Sequence, residues 1–124
     1  MSDAVRVEGL AQVAVTVTDL DAARAFYRDV LGLTFLFDAG TMTFFDCGGV
    51  RLLVGTGEQK PGGGTTVYFR VTDLEGAAAR LKAQGAEMVQ EPHLVARMQD
   101  YDLWLAFVKD PAGNVLGLME EKQR

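Results

Sequence analysis

Histidine, cysteine and tryptophan each occur once in this sequence, as His93, Cys47 and Trp104, and proline occurs three times. One cysteine cannot close an internal disulfide, so nothing points to an oxidising compartment. One histidine without a spaced partner is a poor start for a metal centre, which needs several donors at set intervals. No apolar run approaches the roughly 20 residues of a bilayer span. The opening MSDAVRVEGL lacks the basic-then-apolar pattern of a secretory leader. Positive charge is short as well: 12 scattered Lys and Arg stand against 17 Asp and Glu, a net −5. Nucleic acid requires clustered cations, so neither it nor a membrane is an expected partner, and the expected setting is the cytoplasm. What remains is an ordinary globular balance, 48% hydrophobic and 23% charged over 124 residues, enough for one domain with its own core.

That domain is written twice. Val17-Thr18-Asp19-Leu20 recurs as Val71-Thr72-Asp73-Leu74, an offset of 54 residues. A stretch rich in β-branched residues precedes each copy, 12–17 and 65–71, and reads as a strand. Asp19 and Asp73 then sit where a helix N-cap belongs, able to accept from first-turn amides. Helices are expected over 21–31, with a buried stripe Ala22, Phe26 and Val30, and over 74–84, with Leu74, Ala78 and Leu81. Gly32 and Gly85 suit the left-handed turn that ends a helix. Three strands are predicted after each helix, 34–38, 42–47 and 50–55, then 87–90, 102–109 and 115–120. Asp46-Cys47-Gly48-Gly49 and Asp110-Pro111-Ala112-Gly113-Asn114 mark hairpins. Module one thus covers about 9–56 and module two about 65–121, joined by a glycine-rich flexible linker over 57–64.

The runs Val17–Leu20 with Phe26-Tyr27-Arg28-Asp29-Val30-Leu31-Gly32-Leu33, and Phe107-Val108-Lys109-Asp110-Pro111-Ala112-Gly113-Asn114, resemble in order and spacing the vicinal oxygen chelate superfamily. That superfamily takes in the glyoxalases, bleomycin-resistance proteins and dioxygenases. The segment Glu91-Pro92-His93 to Asp102-Leu103-Trp104 is similar to one of its uncharacterised subgroups. The resemblance extends from Ala11 to Glu121. It implies an α+β fold in which two tandem βαβββ modules form a curved mixed sheet around a central cavity. It also implies a homodimer, since such proteins commonly pair.

Catalytic members hold a divalent metal with His, Gln or Glu on the first and last strand of each module. Carried over residue by residue, those positions fall here on Gln12, Leu52, Thr66 and Gly117. One amide, one aliphatic chain, one hydroxyl and no side chain make a poor cage for a divalent ion, and no carboxylate remains as a base. The expectation is therefore no cofactor, with a displaced divalent-metal site built from His93, Asp100, Asp102 and Gln12 as the alternative. Strand alternation places Ala14 and Thr16 with Gln12, and Tyr68 and Arg70 with Thr66. It places Met42, Phe44 and Asp46 on the third strand, Leu103, Leu105 and Phe107 on the seventh, and Val115 and Met119 beside Gly117. Trp104 should face away, against a helix. An apolar, aromatic-lined pocket with few polar groups suits a small organic molecule. Three readings stand: a metal-free small-molecule binder of the bleomycin-resistance type, a metal-dependent or metal-free lyase, isomerase or dioxygenase-like enzyme with a displaced site, and a structural module whose cavity is filled. The candidate binding set is Gln12, Met42, Phe44, Leu52, Thr66, Tyr68, Arg70, His93, Asp102, Leu105, Phe107 and Gly117, with no catalytic residue assigned. Cys47 reads as a turn-edge residue and the tail 120–124 as a solvated stretch.

Overall fold

The computed structural model describes Leu10, residues 12–57, Pro61 and residues 65–124. Ala11 and most of the glycine-rich linker lie outside the described residues. In the first half, β1 (Gln12–Thr16) leads through Asp19 into α1 (Leu20–Ala25) and a π-helical turn (Phe26–Val30). Next come the strands β2 (Thr34–Ala39), β3 (Met42–Cys47) and β4 (Val50–Gly55). The second half runs β5 (Tyr68–Arg70), α2 (Leu74–Ala83), β6 (Met88–Arg97), β7 (Tyr101–Lys109) and β8 (Val115–Gln123). The sheet orders, β1-β4-β3-β2 and β5-β8-β7-β6, trace one path twice through two four-stranded mixed sheets. In each, the first strand is parallel to the last and the other pairings are antiparallel. This is the α+β arrangement of two tandem modules expected from the repeat.

The repeat works through its caps. Asp19 Oδ1 accepts from the Ala22 amide and Asp73 Oδ1 from the Gly76 amide, each at 3.1 Å, satisfying a donor the helix leaves orphaned. Gly32 and Gly85 leave the two helices at φ 75° and 83°, where a β-carbon would strain the turn. The stripe of α2 is buried as predicted, Leu74, Ala78 and Leu81. The stripe of the first helix is displaced: Ala23, Phe26 and Tyr27 are buried, while Ala22 and Val30 are only half-buried. The Leu31 amide donates to the Phe26 carbonyl at 2.9 Å, a bond spanning five residues rather than four. That wider turn rotates the residues on its C-terminal side, so a stripe counted at 3.6 residues drifts off the core.

Two further expectations need correction. Strand β6 continues past Gln90 to Arg97, so His93 lies in a strand and not on a loop. Strand β8 continues to Gln123, and the tail is tied down rather than solvated. Glu120 Oε1 accepts from the Leu74 amide at 2.9 Å and Lys122 Nζ donates to Glu75 Oε1 at 2.7 Å. The Arg124 guanidinium donates to the Asp102 carboxylate and to the carbonyls of Met98 and Gln99, closing the β6–β7 turn.

One core serves both halves. Val15, Phe45, Leu52 and Val54 of the first sheet join Phe69, Ala106, Val108, Leu116 and Leu118 of the second, covered by Phe26, Tyr27, Leu74 and Leu81 from the helical segments. A polar clasp crosses between the modules inside it. The Asp110 carboxylate accepts from Tyr27 Oη at 2.9 Å, from the amides of Ala112 and Asn114 at 3.0 and 2.8 Å, and from Asn114 Nδ2 at 2.8 Å. Asn114 Nδ2 also donates to the Thr16 carbonyl at 2.7 Å, at the end of β1. The Phe-Tyr and Asp-Pro-x-Gly-Asn runs thus join module one to module two. Among the described residues no helix is long and apolar enough to cross a membrane.

Candidate functional site

Residues opposite one another on paired strands share a face, so the register sorts each sheet into two sides. In the first sheet the rows Val13–Leu52–Phe45–Phe35 and Val15–Val54–Thr43–Asp38 look toward α1, where Arg24 Nε donates to Asp38 Oδ1 at 3.2 Å. The rows Gln12–Arg51–Asp46–Thr34, Ala14–Leu53–Phe44–Phe37 and Thr16–Gly55–Met42–Ala39 look the other way. In the second sheet the corresponding rows are Tyr68–Gly117–Phe107–Gln90 and Arg70–Met119–Leu105–His93, with Leu103 and Glu121 beyond them.

These faces away from the core carry most of the sequence-predicted set: Gln12, Met42, Phe44, Tyr68, Arg70, His93, Leu105, Phe107 and Gly117. Two members lie on the other side. Leu52 is buried in the core row between Val13 and Phe45, and its neighbour Leu53 holds the site-facing position. The repeat agrees, since Tyr68 pairs with Gly117 as Ala14, 54 residues earlier, pairs with Leu53. A one-residue slip moves a strand residue to the opposite face. Asp102 stands in the row Lys122–Asp102–Arg97, held by Arg124 and 4.0 Å from Arg97, so it is structural here. Thr66 is exposed and precedes β5 rather than belonging to it. Trp104 is on the core side as expected, half-buried, with Lys122 Nζ 4.2 Å from its ring centroid. Cys47 ends β3, and burial pushes its thiol pKa up, the opposite of an activated nucleophile.

Two side chains missed from the sequence shape the site. Arg51 Nε donates to Gln12 Oε1 at 3.0 Å, and its guanidinium carbon stands 5.5 Å from the centroid of the Phe44 ring. Phe37, on the neighbouring strand β2, stacks on the same ring with centroids 4.5 Å apart. Counting four residues from each hairpin glycine, Gly49 to Leu53 and Gly113 to Gly117, is the signal that sets this parity and finds Arg51. In the second sheet Tyr68 meets Phe107 edge-on at 6.0 Å and lies across Gly117.

The glycine sets what this face can hold. A β-carbon at position 117 would stand 2.4 Å from Tyr68 Cδ2 and 2.7 Å from Cε2, so the phenol ring fills the space a carboxylate side chain would need. In module one the oxygen of Gln12 already accepts from a guanidinium, and Leu53 offers no donor. A fixed positive charge beside the one amide opposes a divalent cation. The residues at the strand positions implied by the resemblance therefore do not fit a metal. The displaced alternative is not assembled either: His93 Nδ1 lies 2.9 Å from the Glu91 carbonyl, Asp102 is on the opposite side, and among the described residues no group of three or more His, Cys, Asp or Glu is close enough to hold an ion.

A family model for the glyoxalase/bleomycin resistance protein/dioxygenase superfamily matches residues 9–118. Solved structures agree with it. A lactoylglutathione lyase from Agrobacterium tumefaciens is 25% identical, with a TM-score of 0.76 over 93% of this chain and 95% of that one. A superfamily member from Sphaerobacter thermophilus is 21% identical, TM-score 0.77, covering 93% and 98%. A virulence protein from Salmonella typhimurium is 16% identical, TM-score 0.76, covering 94% and 99%. A search of curated proteins gives no match. The chain belongs to the glyoxalase/bleomycin resistance protein/dioxygenase superfamily.

Proposed function

We propose that this chain binds a small organic molecule on the sheet faces turned away from the core, and that it does so without a divalent metal. The observation that carries this reading is the Tyr68 ring lying over Gly117, 2.4 Å from where a β-carbon would be. A position that would otherwise supply a charged ligand supplies flat aromatic surface instead. On the same outward faces stand Phe37, Phe44 and Leu53 in the first sheet and Leu105 and Phe107 in the second, and Gln12, Arg51, Arg70 and His93 set a few polar groups among them. Apolar walls with sparse polar anchors are what small-molecule recognition uses. Sequestration needs affinity and no catalyst.

The resemblance to a lactoylglutathione lyase supports a metal-dependent enzymatic reading as the alternative, and a metal assay tests it. The purified protein is assayed for bound metal and then heated with Ni, Mn, Fe or Zn added in turn. The expected result is no stoichiometric metal and no shift in Tm. One equivalent of metal, or a shift of several degrees with a single ion, would overturn the metal-free reading. We further propose that the chain pairs with a second copy, because the edge strands β2 and β6 expose Leu36, Phe37, Val89 and Val95 at 42–50%. Sedimentation at micromolar concentration should give twice the monomer mass.

A further inference from the structure

Seven of the ten described Lys and Arg residues stand within 4.0 Å of a described carboxylate; Arg51, Arg70 and Arg80 do not. Two of these three lie on the faces assigned to the ligand, in a protein whose net charge is −5. Arg51 is the more constrained. Its Nε–H is spent on Gln12, and its guanidinium carbon stands over the Phe44 ring, so its position is set from two directions. Asp46 is its cross-strand neighbour on the same face, yet the two form no ion pair. The outer edge of the guanidinium, with Nη1 and Nη2, has no hydrogen-bond partner among the described residues. Such an edge presents two parallel N–H donors that match the two oxygens of a carboxylate.

We infer that the molecule bound on this face is an aromatic carboxylate, its oxygens on the Arg51 fork and its ring on Phe37, which is 43% exposed and stacks on the buried Phe44. The inference rests on the small-molecule reading above and narrows it to one chemical class. It runs against the overall acidity of the protein, which by itself would favour a basic ligand. The local arrangement outweighs the distant charges because a bidentate contact acts at hydrogen-bond distance, whereas scattered surface carboxylates are screened within about 8 Å at physiological salt. Gln12 acts here as a positioning residue: its oxygen holds Nε and turns the fork outward.

The test uses three probes of one shape, 2-naphthoate, 2-naphthamide and 2-naphthylmethylammonium, titrated calorimetrically into the full-length protein. Naphthoate should bind roughly ten- to a hundred-fold more tightly than naphthamide, and the ammonium probe most weakly. Arg51→Met keeps the stem over Phe44 and should bring naphthoate down to the level of the amide. Asp46→Asn changes an exposed side chain that no buried contact depends on, and should tighten naphthoate binding. Equal affinity for naphthoate and naphthamide overturns the carboxylate assignment and leaves the small-molecule reading intact. Preference for the ammonium probe, or weaker naphthoate binding in Asp46→Asn, does the same. Failure of all three probes to bind overturns both.

Discussion

Tyr27→Phe removes one oxygen atom from the clasp between the modules and leaves every apolar contact of the ring in place. Tyr27 is wholly buried and Asp110 is 4% exposed, so neither group regains water when the bond is lost. A hydrogen bond to a charged acceptor contributes about 1.5–3 kcal/mol net. Asp110 keeps three other donors, from Ala112 and Asn114, so its carboxylate is not orphaned and the lower end applies. We expect a loss of about 1–2 kcal/mol, read as a fall in urea midpoint at constant m. Asp110→Ala is worse, because it strands the Tyr27 hydroxyl and two backbone amides together; about 3–5 kcal/mol is expected. Were Tyr27→Phe to stay within about 0.5 kcal/mol of wild type, or Asp110→Ala to cost no more than it, the clasp would not be what joins the halves.

The same residue predicts a pH dependence. Burial first, and the Asp110 charge second, push the Tyr27 pKa above that of an exposed phenol. The folded state therefore keeps its proton above pH ~10, where the unfolded chain gives it up. Stability from this group is complete below that pH and declines as pH rises beyond it, by about 1.4 kcal/mol per unit. In Tyr27→Phe the decline above pH ~10 should be shallower by that slope. Identical alkaline limbs for the two proteins would refute the assignment.

Leu52→Ala and Leu53→Ala differ by one residue but should differ in kind. Leu52→Ala opens the core and should cost about 2–5 kcal/mol, while Leu53→Ala should cost less and weaken ligand binding; paired urea melts and titrations decide. Thr43 is fully buried with no partner for its hydroxyl among the described residues, so Thr43→Val should raise stability by up to about 1–2 kcal/mol, read as a higher urea midpoint. Gly117→Ala drives a methyl into the Tyr68 ring. That side chain is 49% exposed and can swing outward, so stability should change by less than ~1 kcal/mol while the Tyr68 and Phe107 ring resonances move in the NMR spectrum.

Much of the fold is legible because the repeat is written in residues with a local job. Asp19 and Asp73 cap, Gly32 and Gly85 reverse the chain, and the glycine turns at Gly48-Gly49 and Gly113 mark the hairpins of β3 with β4 and of β7 with β8. What is not legible is whatever breaks a period. The π-helical turn adds one residue to a helix whose composition gives no sign of it, so Val30 leaves the buried stripe. Strand β6 has irregular register at three places, between Met88 and Gln90, Gln90 and His93, and Leu94 and Ala96. Its ten residues include Pro92 and alternate nowhere cleanly, which is why a strand reads as a loop.

The site suffers more than the fold from such slips, because a face is a binary property. Placing the metal-position equivalent at Leu52 instead of Leu53 does not move it by 3 Å along a strand; it exchanges the core for the ligand surface. The same slip hides Arg51, which the corrected parity sets on the face of Gln12, its neighbour across the β1–β4 pairing. Gly117 is the converse case. Its absence of a side chain is plain in the sequence, but what fills the space depends on Tyr68, 49 residues away in the chain and adjacent in the sheet. Sequence alone marks Gly117 as the loss of a ligand. With Tyr68 beside it, the same atoms are an aromatic surface that the missing side chain makes room for, and a carboxylate restored at 117 would have to displace that ring before it could approach any cation.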